Sequence, residues 1–183
     1  MNPRFSLRSA RAADANVLAV LAAQVWLHTY ATEGVSSVIA DYVLREITPA
    51  KFAASLEDPY AITLVAECDE NLLGFAVLRL NATCPSPNPN PNPNPNKTAS
   101  SIELETLYVQ AHFLGQGIGS ALLRQAESMA RVHAPADSGL WLTVNARNAR
   151  AMRFYTAHGY QKTGTHVFML GGVGHENHVL TKC

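Results

Sequence analysis

The sequence predicts an α/β fold built on one mixed, mostly antiparallel sheet of about seven strands with helices on both faces. Three observations predict it. Apolar runs of strand length and apolar stripes of helical spacing alternate in the order β, two or three helices, three strands, α, β, α, β, β. A glycine-punctuated turn, Gly115 to Gly119, joins one of those strands directly to a helix. The 183 residues are 48% hydrophobic and 15% charged, against about 25% charged in an average globular chain, so one domain spanning residues 1–183 can bury a sizeable core.

Phe5 to Arg8 reads as the opening strand. Ala12 to Leu27 follows with Val17, Leu18, Leu21, Val25 and Trp26 at three- and four-residue steps, an amphipathic helix. Val35 to Arg45 repeats the pattern through Val38, Ile39, Tyr42 and Val43. Thr48 before Pro49 is an N-cap followed by a first-turn proline, for a short helix ending near Leu56. Asp58 and Pro59 mark a turn. The apolar runs Ile62 to Glu67 and Leu72 to Leu80, parted by Asp69, Glu70 and Asn71, form a hairpin.

Residues 81–100 are the low-complexity segment, with Pro-Asn repeated five times from Pro87 to Asn96. Its proline spacing never gives PxxP, and a segment so poor in backbone donors neither pairs nor packs, so it reads as a mobile surface loop within the domain. A linker between two domains is the less economical reading, because neither flank holds enough strands to cover its own helices. Ile102 to Val109 alternates as a strand, and the glycine turn leads into a helix from about Gly117 to His133. Leu140 to Val144 is a strand. Asn148 caps a helix reaching His158, with Gly159 as its left-handed stop. Tyr160 to Leu170 and His178 to Thr181 close the sheet around a turn at Gly171 to Gly174.

Composition excludes several classes. Lys+Arg and Asp+Glu both number 14, for a net charge of +0, and no dense basic run occurs, so a nucleic-acid surface would have to be purely local and is not expected. No run reaches the roughly 20 apolar residues of a membrane span, and Asp14, Asn16 and Gln24 interrupt the N-terminal apolar stretch, which does not read as a signal peptide. Cys68, Cys84 and Cys183 form neither a disulfide framework nor a CxxC pair, as expected of reduced thiols in a cytoplasmic protein. The sequons at Asn81 and Asn96 carry no weight without secretion. The seven histidines are scattered, with His175 and His178 on opposite strand faces, so no metal site is expected.

The turn Gly115-Gln116-Gly117-Ile118-Gly119-Ser120 can aim backbone N–H groups at an anion where it opens a helix. It fails the dinucleotide pattern at Ser120 and the Walker pattern for want of Lys-Ser/Thr. Close helix–strand packing is the alternative role for its glycines. On the preceding strand Glu103, Glu105, Leu107 and Val109 share one face. Both carboxylates can therefore accept a proton from an ammonium group, directly or through water, or simply be solvated there.

Residues Glu103 to Leu123 resemble the acyl-CoA pyrophosphate motif of the GNAT N-acetyltransferase superfamily. Asn148, Ala151, Phe154, Tyr155 and Gly159 reproduce its second motif, Asn-x-x-Ala-x-x-Phe-Tyr-x-x-x-Gly. The resemblance covers most of the chain. It implies the GNAT fold, with the sheet splayed at the acyl-CoA site, and acetyl-CoA as co-substrate in direct acetyl transfer to a primary amine. By the same resemblance, backbone N–H groups of Leu107, Tyr108 and Val109 meet the carbonyl. The turn from Leu114 through Gly115, Gln116, Gly117, Ile118 and Gly119 to Ser120 cradles the pyrophosphate, and Asn148 and Tyr155 add contacts from the second motif.

Catalytic roles follow in the same way. Glu105 matches the position where many members place the base, with Glu103 second, and Tyr155 matches the acid for the departing thiolate. A phenol pKa near 10 against about 8.5 for a thiol makes that transfer feasible. Without the resemblance, Phe154 and Tyr155 read as core aromatics. His28, Tyr30 and Glu33 are the candidates for the acceptor pocket. Residues Thr163 to Lys182 resemble bacterial polyamine acetyltransferases, whose cationic acceptors would draw on Glu33, Asp41, Glu46 and Glu57. The rival acceptors are a protein N-terminus or lysine, and a catalytically silent acyl-CoA-binding module is the rival class. A homodimer through the closing strands is implied too. Two features depart from the family: Leu114 replaces its usual Arg or Gln, and the Pro-Asn insert is not a family feature.

Overall fold

Thr48 and Pro49 start a helix as expected: the Thr48 hydroxyl accepts from Lys51 N at 3.3 Å, and Pro49 fills the first turn, where an N–H has no partner anyway. Capping of the same kind moves the previous helix start to Ser37, because Ser36 Oγ accepts from Ile39 N. The structure is a computed structural model and describes residues 5–85, 101–133 and 139–182. The Pro-Asn segment from residue 86, the sequon at Asn96 and Cys183 lie outside the described residues.

In chain order the elements are β1 (Ser6–Ser9), α1 (Ala15–Tyr30), α2 (Ser37–Glu46), α3 (Pro49–Glu57), β2 (Ala61–Cys68) and β3 (Asn71–Ala82). Then come β4 (Ser101–Val109), α4 (Ile118–His133), β5 (Leu140–Asn145), α5 (Ala149–Ala157), β6 (Gln161–Leu170) and β7 (Val173–Thr181). The seven strands form one sheet in the order β1-β2-β3-β4-β5-β7-β6. The pairs β1–β2, β5–β7 and β6–β7 are antiparallel, and β4–β5 is parallel. This is the mixed, mostly antiparallel architecture that the sequence predicts.

The chain packs as two compact units, Met1–Leu78 with Thr106–Ser128, and Arg79–Glu105 with Met129–Cys183. In the first, Leu18, Leu21 and Ala22 of α1 meet Val65 of β2 and Leu72, Phe75 and Val77 of β3, with Phe52 and Leu56 of α3 packed against them. Every residue from Leu72 to Leu78 is buried. Since alternate side chains point to opposite faces, an unbroken buried run means that β3 is covered on both. Asp69 and Glu70, both at positive φ, make the two-residue hairpin turn between β2 and β3.

In the second unit the parallel ladder pairs Ile102 with Leu140 and Glu103 with Trp141. The closing hairpin differs from the expectation. β7 begins at Val173 rather than His178, because Gly171 (φ 55) and Gly172 (φ 80) alone complete a tight turn and Leu170 pairs with Val173.

Candidate active site

The glycine turn takes its shape from Gly115 (φ 78) and Gly117 (φ 84), a backbone region that residues with a Cβ rarely enter. A Cβ built on either glycine would meet nothing within 4 Å, so the loop backbone faces open space rather than a packed neighbour. Close helix–strand packing therefore does not account for these two glycines. α4 begins at Ile118, and the first N–H groups of a helix lack intrahelical partners. A phosphate group fits such a cradle. The Gln116 side chain folds back, its Nε2 donating to His112 O at 3.1 Å. Leu114 adds no charge.

One strand away, Gly74 of β3 lies against the end of β4. A Cβ on Gly74 would sit 2.6 Å from Tyr108 O, 3.1 Å from Val109 Cγ2 and 3.2 Å from Val109 Cα. Gln110 N donates to Leu73 O at 3.0 Å, and the Tyr108 ring meets Phe75 edge-on at 5.6 Å. Leu73, Gly74 and Phe75 thus fix the backbone from Tyr108 to Gln110. Gly74 was hidden in the sequence inside an apolar run, where only strand register gives it meaning.

The two glutamates of β4 have unlike surroundings. Glu105 Oε2 accepts from Arg79 Nε at 3.0 Å, in a partly exposed ion pair. Burial, then the Glu105 charge, pushes the Glu103 carboxyl up to about 7, with Arg79 opposing. Cys84 lies close enough to be affected: burial first and Glu103 second raise its thiol. The sequence ranked Glu105 ahead of Glu103, whereas the cross-strand Arg79 engages Glu105 and leaves Glu103 as the carboxyl titrating near neutrality.

On α5, Asn148 Oδ1 accepts from Ala151 N at 3.0 Å and caps the helix that carries Tyr155. Tyr155 is buried, its ring edge-on to Phe154 at 5.1 Å and to Tyr160 at 5.7 Å. In the first unit, His28 shares an open recess of about 210 Å³ with Gln24, Val25, Val109, Ala111 and His112. Tyr30 and Glu33 do not line it. Tyr30 packs on Trp26 at 4.9 Å, and desolvation, followed by Tyr42, raises its hydroxyl. Glu33 is exposed. No sequence pattern singles out His112, which follows β4 in a short 3-10 turn and reaches His28 only through the fold.

Among the described residues no three His, Cys, Asp or Glu side chains gather as a metal site, and no helix is long and apolar enough to cross a membrane.

A family model described as the Acetyltransferase (GNAT) family matches residues 24–160. An uncharacterized N-acetyltransferase of Mycobacterium tuberculosis is 31% identical over 167 residues, covering 90% of this chain and 93% of the relative. Among solved structures, the PaiA N-acetyltransferase of Thermoplasma acidophilum, in complex with coenzyme A, superposes with a TM-score of 0.74 at 20% identity over 98% of each chain. YncA of Salmonella typhimurium, solved with acetyl-CoA, gives 0.63 at 18% identity over 97% of this chain and 92% of its own. These two likenesses establish the fold.

Proposed function

This chain belongs to the GNAT acetyltransferase family and is an N-acetyltransferase, and on that premise we propose that it moves the acetyl group of acetyl-CoA to the primary amine of a small molecule, with Glu103 as base. The observation that carries the assignment is the Glu103 carboxyl, held near 7 by burial and by Glu105 on the same strand face. A base poised there is ionised often enough at neutral pH to take a proton, yet basic enough to want one.

Bound acetyl-CoA supplies the thioester. Glu103, on the same strand as the Leu107 to Val109 backbone but several residues before it, accepts a proton from the acceptor's ammonium group through intervening water, leaving a nucleophilic amine. The amine nitrogen bonds to the carbonyl carbon and the C–S bond breaks. Tyr155 gives its proton to the departing thiolate and regains one from the second proton the nitrogen loses, so no covalent acetyl-enzyme forms. Backbone N–H groups in the stretch Leu107 to Val109 stabilise the carbonyl oxygen. The turn from Leu114 to Ser120 holds the pyrophosphate through its backbone, and Asn148 steadies the helix of Tyr155. The whole function resides in one domain, with Cys68 and Cys84 as free thiols suited to the cytoplasm.

Glu46 is engaged by Arg45 and Lys51, and neither it nor Glu33, Asp41 or Glu57 lines the recess at Val109. This distribution favours a less cationic amine over a polyamine.

The pH dependence of kcat/KM tests the base. A rising limb with its midpoint at about 7 is expected, since only the ionised carboxylate accepts a proton. In Glu105→Gln the like charge that raises Glu103 is gone, so the limb moves to lower pH. A flat profile across neutrality would remove Glu103 from the mechanism. Gly74→Ala provides a second check. Its Cβ displaces the Tyr108–Val109 backbone, and a misplacement of about 1 Å can cost about 100-fold. A fall in kcat of that order is expected, together with a lost preference for acetyl-CoA over CoA and retained CoA affinity; unchanged kinetics would show that the backbone there is not used.

A further inference from the structure

We propose that His28 and His112 are the specificity pair for the acceptor, and that the acceptor carries a carboxylate beside its amine, as a free amino acid does. The inference rests on the N-acetyltransferase reading and deepens it. Val109, the last residue of β4, lines the same recess as both histidines, so a molecule seated there lies against the end of the strand assigned to the carbonyl.

The lining determines the chemistry. Its polar side chains are two imidazoles and the Gln24 amide, all able to donate N–H bonds, and its other members are Val25, Val109 and Ala111. Among the described residues neither Asp nor Glu lines the recess to receive a second ammonium, so a polycation finds no counter-charge from them there. An anionic oxygen group finds two ring donors, and hydrogen bonds to an ionised acceptor are about twice as strong as neutral ones. A recess of about 210 Å³ is smaller than the roughly 300 Å³ where drug-sized pockets begin, which suits a metabolite of amino-acid size.

Both rings stand on fixed backbone. His28 lies in the last turn of α1, closed by Ala31 N donating to Leu27 O at 2.9 Å. His112 lies in the 3-10 turn that Phe113 N closes on Gln110 O at 3.0 Å, and its carbonyl accepts from Gln116 Nε2 at 3.1 Å. The glycine turn therefore braces the residue that reads the acceptor. Neither ring is part of the core, so either can be replaced without disturbing packing.

The test compares acceptors that differ in one group: free amino acids, the same amino acids as carboxamides, spermidine, and short peptides with free N-termini. Each is assayed with the full chain, His28→Ala, His112→Ala and the double variant. The wild type is expected to acetylate at least one amino acid with kcat/KM about 10-fold or more above its carboxamide and above spermidine, the range that one or two charged hydrogen bonds supply. Each single variant is expected to raise the acceptor's KM, and the double variant to erase the difference between acid and amide. Preference for spermidine or a peptide, or discrimination that survives in the double variant, overturns the inference and leaves the transferase standing. No acetylated product from any amine overturns both.

Discussion

Glu103→Gln is expected to lower kcat/KM by about 100-fold or more while acetyl-CoA binding is kept, because general-base catalysis contributes about 10²–10⁴ and the amide preserves the side chain's size. The same change is expected to stabilise the protein above neutral pH. The folded carboxyl is raised from its ordinary range to about 7, so the folded state binds the proton more tightly than the unfolded chain. Stability from this group is full below the unfolded pKa and falls as pH rises through about 7. Above that the ionised carboxylate is a burden which glutamine lifts. Discounted for partial solvent screening, the gain is about 1 kcal/mol, or about 2–4 °C in Tm for a chain of this size. Thermal melts of both proteins at pH 5 and pH 8 check the sign: the gap should open at the higher pH. An equally active variant would place the base elsewhere, and a variant less stable at pH 8 would show that the carboxyl is not raised on folding.

Tyr155→Phe is expected to reduce kcat by about 100-fold, with acetyl-CoA affinity retained. The ring's contacts with Phe154 and Tyr160 do not need the hydroxyl. Acceptors whose products leave as easily should all suffer alike, since the proton goes to the thiolate common to every reaction. Stopped assays with free CoA as the measured product give the rate, and fluorescence titration gives the affinity. Unaltered turnover would reduce Tyr155 to a core aromatic.

Features that depend on neighbours in sequence were legible before the structure. Thr48 with Pro49, and Asn148 three residues before its partner Ala151, announce helix starts because capping is local. The glycine turn was legible for the same reason: positive φ at Gly115 and Gly117 is a property of those residues. The difference in setting between the two glutamates was not. It depends on Arg79, 26 positions from Glu105, and no spacing rule sets the register of β3 against β4 across the Pro-Asn segment. Gly74 was lost in the same way, since its proximity to Tyr108 O appears only when two strands are side by side. His112 is a surface residue of a short turn until α1 brings His28 to the same recess. The start of β7 was misread for a local reason: four residues of turn composition, Gly171 to Gly174, hold a turn of only two.

The central claim is that this chain joins an acetyl group to a primary amine. It is tested most directly by following acetyl-CoA consumption by the purified protein against amino acids, polyamines, aminoglycosides and short peptides, with products identified by mass. One acceptor gaining an amide-linked acetyl group, with CoA released in equal amount, is the predicted result. Tight acetyl-CoA binding with no acetylated product from any amine would contradict it and make the chain an acyl-CoA-binding module.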